Sequence, residues 1–250
     1  MTNSWDESTP RGPASSQIRI AAPGAQTALI ELLALAAALF LITIFIGFTL
    51  VGQHGGGPIQ SWDTTVGRWF LTHRGPLVPA ARFVATYLDA LPLAIMSVIL
   101  SGVLLAWLRT PVGMMPIVAY LGAEFQVFAV RQVIHRPRPL SANWPHAGSI
   151  SGVHETSFSF PSGHAVAVSP VLFALLGTLA LVHHWWWPWI VAFVLALFVA
   201  DTRLVLGVHW FSDVTLGVLV GSAWGIAVAA IGVHLSWADL RKLIPSRRGR

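Results

Sequence analysis

Residues 27–51 read TALIELLALAAALFLITIFIGFTLV, with Glu31 as the one charged side chain. An α-helix rises 1.5 Å per residue, so this stretch covers the roughly 30 Å hydrocarbon core of a bilayer. It is too long for the apolar core of a signal peptide and reads as a retained transmembrane helix. Outward from it, further apolar stretches lie near Leu91–Leu108, Val112–Val130, Pro161–Val182, Trp187–Val205 and His209–Leu235. Each matches the roughly 17–25 residues that a membrane span needs. The expected fold class is therefore all-α, an integral membrane bundle of six transmembrane helices.

Composition agrees. The chain has 250 residues, a mean hydropathy of +0.68 and only 10% charged side chains, against about 25% in soluble domains. Its formal charge of +5 does not suggest nucleic acid, which would need a contiguous basic face. The one dense basic run, Arg241-Lys242 through Arg250, reads as a juxtamembrane anchor. Cysteine is absent, which excludes disulfides, thiolate nucleophiles and cysteine metal sites.

The chain divides into a polar tail over 1–26, a membrane domain over 27–235 and a basic tail over 236–250. Between the first two spans, Gly52 to Ala90 opens on Gly55-Gly56-Gly57-Pro58 and then mixes apolar residues with Arg68, Arg74 and Arg82. That pattern predicts a loop and one or two short helices in the interface. Six spans place both termini on one side, and the basic C-terminus makes that side cytoplasmic. Arg109, between the second and third spans, falls on the same side.

Three polar clusters then meet at the opposite, extracytoplasmic face. Arg131 to Arg138-Pro139 follows the third span, Pro161-Ser162-Gly163-His164 opens the fourth, and Thr202-Arg203, His209 and Asp213 surround the join of the last two. Ionisable groups at membrane depth are functional candidates. Arg131 and Arg138 are seven apart, so a continuing helix, ended by Pro137 and Pro139, projects both to one side. With Arg203 they offer guanidinium forks suited to phosphate. Pro161 to His164 has the composition of a helix start, itself an anion site. His209 and Asp213, four apart, stack on one helical face, where the carboxylate can set the imidazole tautomer. One histidine attacking phosphorus and another protonating the leaving oxygen amount to phosphoryl transfer through phosphohistidine.

These residues resemble the three signature motifs of the type 2 phosphatidic acid phosphatase superfamily. The first motif begins with Arg131 where the family has lysine and ends on Arg138-Pro139. Pro161-Ser162-Gly163-His164 matches without change. The third has Thr202 for serine, then Arg203, His209 and Asp213. The resemblance implies His209 as nucleophile, Asp213 as its partner and His164 as general acid. It implies that Arg131, Arg138, Ser162, Gly163 and Arg203 hold the phosphate, with no metal or other cofactor. The implied substrate is a lipid phosphate or diphosphate at headgroup level: phosphatidic acid, phosphatidylglycerol phosphate or a polyprenyl diphosphate, the last slightly favoured.

Other readings compete. A single arginine beside a span is as often an interfacial anchor, and a lone histidine is more often a satisfied core residue. Two histidines and a carboxylate could ligate a metal, although the arginines disfavour a cation. A lipid phosphotransferase would use the same intermediate, and an anionic-lipid transporter the same arginines without chemistry. His183, His184 and Trp185–Trp187 read as an interfacial belt. His135, Arg136, His146, His154 and Glu155 read as flanking the site's entrance, and Asp201 as close enough to Arg203 to orient it. Glu31 and Glu124 read as helix–helix hydrogen-bonding partners.

Overall fold

The computed structural model describes residues 24–139 and 156–235. His146, His154, Glu155, the C-terminal tail and nearly all of the N-terminal tail lie outside that range. Among the described residues the secondary structure is helical: α1 (Ala25–Ile46, continued by a π-helical turn Gly47–Val51), α2 (Gln60–His73), α3 (Leu77–Tyr87), α4 (Ala90–Leu108), a 3₁₀ turn Pro111–Met114, α5 (Met115–Arg131), α6 (Gly163–His183), α7 (Trp187–Val205) and α8 (Phe211–Gly232). Six of these segments are long and apolar enough to cross a membrane, beginning with Gln26–Val51. The six-span expectation holds, and the chain is a multi-pass membrane protein.

The centre of the bundle is α6, which packs on α5, α7 and α8. Its closest partner is α8, because Gly217, Gly221 and Gly225 form a stripe at every fourth residue. A Cβ on Gly221 would lie 2.8 Å from the Val166 carbonyl oxygen, and one on Gly225 2.6 Å from Cα and O of Pro170. Small residues let two membrane helices approach to backbone contact, where dispersion forces and not water expulsion hold them. This approach brings the first turn of α8 against the first turn of α6. At the other extreme, only 11% of α1's most apolar window is buried, so α1 presents most of its surface to lipid.

The segment between the first two spans forms α2 and α3, as expected. Both sit at the end of the bundle where α5 and α7 finish and α6 and α8 begin: α2 packs on α7 and α8, and α3 on α7 and α4. Arg109 lies at the opposite end, in a left-handed turn with φ 55°. His183, Trp185 and Trp187 also lie there and stack in series, with ring centroids 4.6 and 5.7 Å apart.

Two local expectations are corrected. The helix α5 stops at Arg131, well before Pro137, and Ile134 to Arg138 run without helical structure. Arg131 and Arg138 therefore do not share a helical face. The His135 amide bonds to the Gln53 carbonyl at 2.8 Å, and the Trp210 indole N–H to the Pro137 carbonyl at 2.9 Å. These bonds hold the irregular segment in place. Likewise His209 precedes α8 and its N-cap Trp210, so it is not stacked over Asp213 on one helix. Asp213 bends back to cap α8, accepting the Trp210 amide at 3.0 Å, and that turn delivers its carboxylate to His209.

Candidate active site

Asp213 is completely buried, and its two carboxylate oxygens serve opposite directions. Oδ2 lies 3.4 Å from Nδ1 of His209, while Oδ1 accepts a hydrogen bond from Arg136 at 2.6 Å. On the far side of the imidazole, a terminal nitrogen of Arg138 stands 2.9 Å from Nε2. Four groups form a line: Arg136, Asp213, His209, Arg138. Guanidinium can only donate, so Nε2 is the accepting nitrogen and Nδ1 carries the proton that faces Asp213. The imidazole is thereby fixed in the tautomer whose lone pair points into the site.

Electrostatics favour the same state. Burial, then the guanidiniums of Arg138, Arg203 and Arg131 and finally His164, hold the His209 pKa well below the usual imidazole range. Removing the ring from water and surrounding it with fixed cations both disfavour imidazolium. His209 is a neutral base whose Nε2 lone pair accepts from Arg138.

The remaining residues surround Nε2. Arg131 donates to the Pro161 carbonyl at 3.2 Å and to Ser157 Oγ at 3.3 Å. Arg138 donates to the same hydroxyl at 3.0 Å and to the Ser157 and Val208 carbonyls at 2.8 and 2.9 Å. One serine hydroxyl thus ties the two arginines together. Ser162 is the N-cap of α6 and is fully buried. Its Oγ makes no hydrogen bond among the described residues, although its amide bonds to the Asp213 carbonyl at 3.2 Å. Pro161 precedes that cap instead of occupying the first turn. Arg203, in the last turn of α7, is fully buried as well.

A cavity of about 80 Å³ opens among these groups. Arg131, Arg138, Gly163, His164 and His209 line it, joined by Asp89 and Glu124. Asp213, Ser162 and Arg203 are not part of that lining. At Leu88 the cavity adjoins an apolar groove of about 520 Å³ between α3, α4, α6 and α7, walled by Phe83, Met96, Val171 and Phe198 among others. A separate apolar cavity of about 240 Å³, near Trp107, Thr178 and His183, lies at the opposite end of the bundle.

Some residues were misplaced or missed by sequence reasoning. Arg136 is not at an entrance: it is fully buried and paired with both Asp213 and Asp63 of α2, at 2.6 and 2.5 Å. Asp63 in turn accepts from the Ser212 amide and hydroxyl, each at 2.7 Å. The available signal was the alternation Arg136-Pro137-Arg138, which in a proline-punctuated run has a period of two and not 3.6. Asp63 carried no comparable sign. Asp201 is exposed whereas Arg203 is buried, so the two lie on different faces of α7. Glu31 is also exposed, while Glu124 is drawn into the cavity wall.

Known proteins resemble this chain in sequence and in fold. The sequence pattern of the PAP2 superfamily matches residues 112–237. A protein of Sulfolobus acidocaldarius named undecaprenyl-diphosphatase is 42% identical over 67 residues, which are 27% of this chain and 30% of that one. Phosphatidylglycerophosphatase B of Bacillus subtilis is 43% identical over 74 residues, 28% of this chain and 36% of that one. The matched stretches span about a third of these relatives' length. The crystal structure of a transmembrane PAP2 type phosphatidylglycerolphosphate phosphatase from Bacillus subtilis superposes with a TM-score of 0.58 at 24% identity. It covers 89% of this chain and 98% of that one, a likeness of fold. With its motif residues gathered at one end of a bundle of that shape, and the family pattern running from the 3₁₀ turn before α5 past the end of α8, the chain belongs to the PAP2 superfamily.

Proposed function

We propose that this protein is a membrane lipid phosphatase that hydrolyses a lipid phosphomonoester or diphosphate through a phosphohistidine on His209, without a metal. The observation that carries this reading is the line from Arg136 through Asp213 and His209 to Arg138. It gives Nε2 a lone pair, a fixed direction and a guanidinium within reach of the phosphate it would attack. In the first step Nε2 bonds to phosphorus and the bond to the leaving oxygen breaks, with His164 donating a proton to that oxygen. In the second, water attacks phosphorus, gives a proton to His164, and the P–N bond breaks to release phosphate. Arg131, Arg138, Arg203, Ser162 and the amide of Gly163 would neutralise the equatorial oxygens, the usual main contribution to phosphoryl transfer.

The adjoining apolar groove supports a lipid substrate, because it accepts a hydrocarbon chain while the phosphate occupies the charged cavity. The relatives' names point to a polyprenyl diphosphate or phosphatidylglycerol phosphate, and the former is slightly favoured. The basic C-terminus supports a site at the extracytoplasmic surface with both termini inside. The test is phosphate release from a panel of lipid phosphates by purified protein in detergent with EDTA. Wild type is expected to work and His209→Ala to be inactive. A need for added divalent metal, or activity surviving in His209→Ala, overturns the mechanism.

A further inference from the structure

The cavity wall holds a carboxylate outside the three motifs. Asp89 stands at the corner between α3 and α4, its side chain 63% exposed, with Oδ1 3.9 Å from Nε2 of His164. The same ring nitrogen lies 3.4 Å from the Ala85 carbonyl of α3. Asp89 is the N-cap of α4, but its side chain makes no capping hydrogen bond, so helix capping does not account for where the carboxylate points. Charged and titratable groups in and around this cavity include the cations Arg131, Arg138 and Arg203, with Glu124, Tyr120, Asp213 and neutral His209.

We propose that Asp89 is a positioning residue for His164. With the Ala85 carbonyl it holds the Nε2 side of the imidazole against the α3–α4 corner. That leaves Nδ1 for the leaving oxygen, and the carboxylate offsets the guanidinium charge around the ring. As the Nε2 lone pair of His209 bonds to phosphorus, the P–O bond breaks and the Nδ1 proton of His164 passes to the departing oxygen. Asp89 takes no part in the proton transfer itself. The role parallels that of Asp213 on His209, so each histidine has its own carboxylate, one buried and one exposed. The proposal rests on the phosphatase reading above.

The experiment compares kcat/KM for phosphatidic acid, whose alkoxide must be protonated to leave, with that for para-nitrophenyl phosphate, whose phenolate leaves unaided. General acid catalysis is worth roughly 10²–10⁴-fold, and an orienting partner accounts for part of it. Asp89→Asn should lower the phosphatidic acid value by roughly 10-fold or more. The para-nitrophenyl phosphate value should fall by less than about threefold, because that reaction does not draw on the acid. In a His164→Ala background Asp89→Asn should have no further effect, since both changes remove one function. Asparagine preserves the N-cap, and Asp89→Ser, also a capping residue, should show the same split. Equal losses on the two substrates, additivity with His164→Ala, or no loss at all overturn the proposal. A wild type inert on every phosphate overturns the phosphatase reading itself, and the proposal with it.

Discussion

Asp63→Ala tests whether the interfacial helix α2 is a working part of the site. Asp63 is fully buried and accepts three hydrogen bonds, from Arg136 and from the amide and hydroxyl of Ser212. Removing it leaves one guanidinium nitrogen and two Ser212 donors without this acceptor, and turns a cation balanced by two carboxylates into one balanced by Asp213 alone. Breaking a buried ion pair by deleting one partner costs about 3–5 kcal/mol. Because the bonds share partners, their separate values do not add to that figure. At roughly 2–4 °C per kcal/mol for a chain of this size, the midpoint of thermal unfolding in detergent should fall by roughly 6–20 °C. Phosphate release should fall with it, because Arg136 would be free to pull Asp213 away from His209. Arg136→Met in the Asp63→Ala background takes the guanidinium from Asp213 as well and leaves that carboxylate buried without its cation, so the double variant should be less stable than Asp63→Ala alone. A midpoint within about 2 °C of wild type for Asp63→Ala, or a double variant as stable as the single one or more so, would refute this account of the network.

Three further outcomes are expected. His209 is held neutral in the folded protein, whereas an unfolded chain takes up its proton below the ordinary value of 6.5. Its contribution is therefore complete above about pH 6.5 and is lost as pH falls toward the depressed folded pKa, by at most about 1.4 kcal/mol per pH unit. Acid titration of unfolding should show this dependence in wild type and a shallower one in His209→Asn. Ser157→Ala removes the hydroxyl shared by Arg131 and Arg138, and should raise KM for a lipid phosphate roughly 5–10-fold, about one hydrogen bond's worth, with kcat little changed. An unaltered KM would count against that hydroxyl as the tie between the arginines. Gly225→Val places side-chain atoms where Pro170 stands and should prise α6 from α8, removing most phosphate release while the protein still inserts in the membrane. Activity within about twofold of wild type would show that the close approach is dispensable.

The bundle was legible because hydropathy adds along the chain: a run of apolar residues is a span whatever its neighbours are. Counting spans then placed the three clusters together without any knowledge of packing. Local details failed where a regular period was assumed through irregular backbone. Arg131 and Arg138 were placed on a common helix, and His209 and Asp213 on another, yet both pairs meet through non-helical turns. Asp63 was invisible because nothing in an amphipathic interfacial segment marks one carboxylate as buried, and its partner Ser212 is 149 positions away.

What the sequence determined by itself was the number of spans, the face on which the polar residues gather, and the residue types and spacings within each motif. These follow from transfer free energies and chain direction, which are properties of one dimension. Only the tertiary structure decided which arginine faces the cavity and which supports Asp213, that α2 contributes a carboxylate, and that Asp89 stands beside His164. Each of those depends on angstrom-scale contact between segments far apart in the chain. Here that contact is set by how closely the glycine face of α8 lets α6 approach.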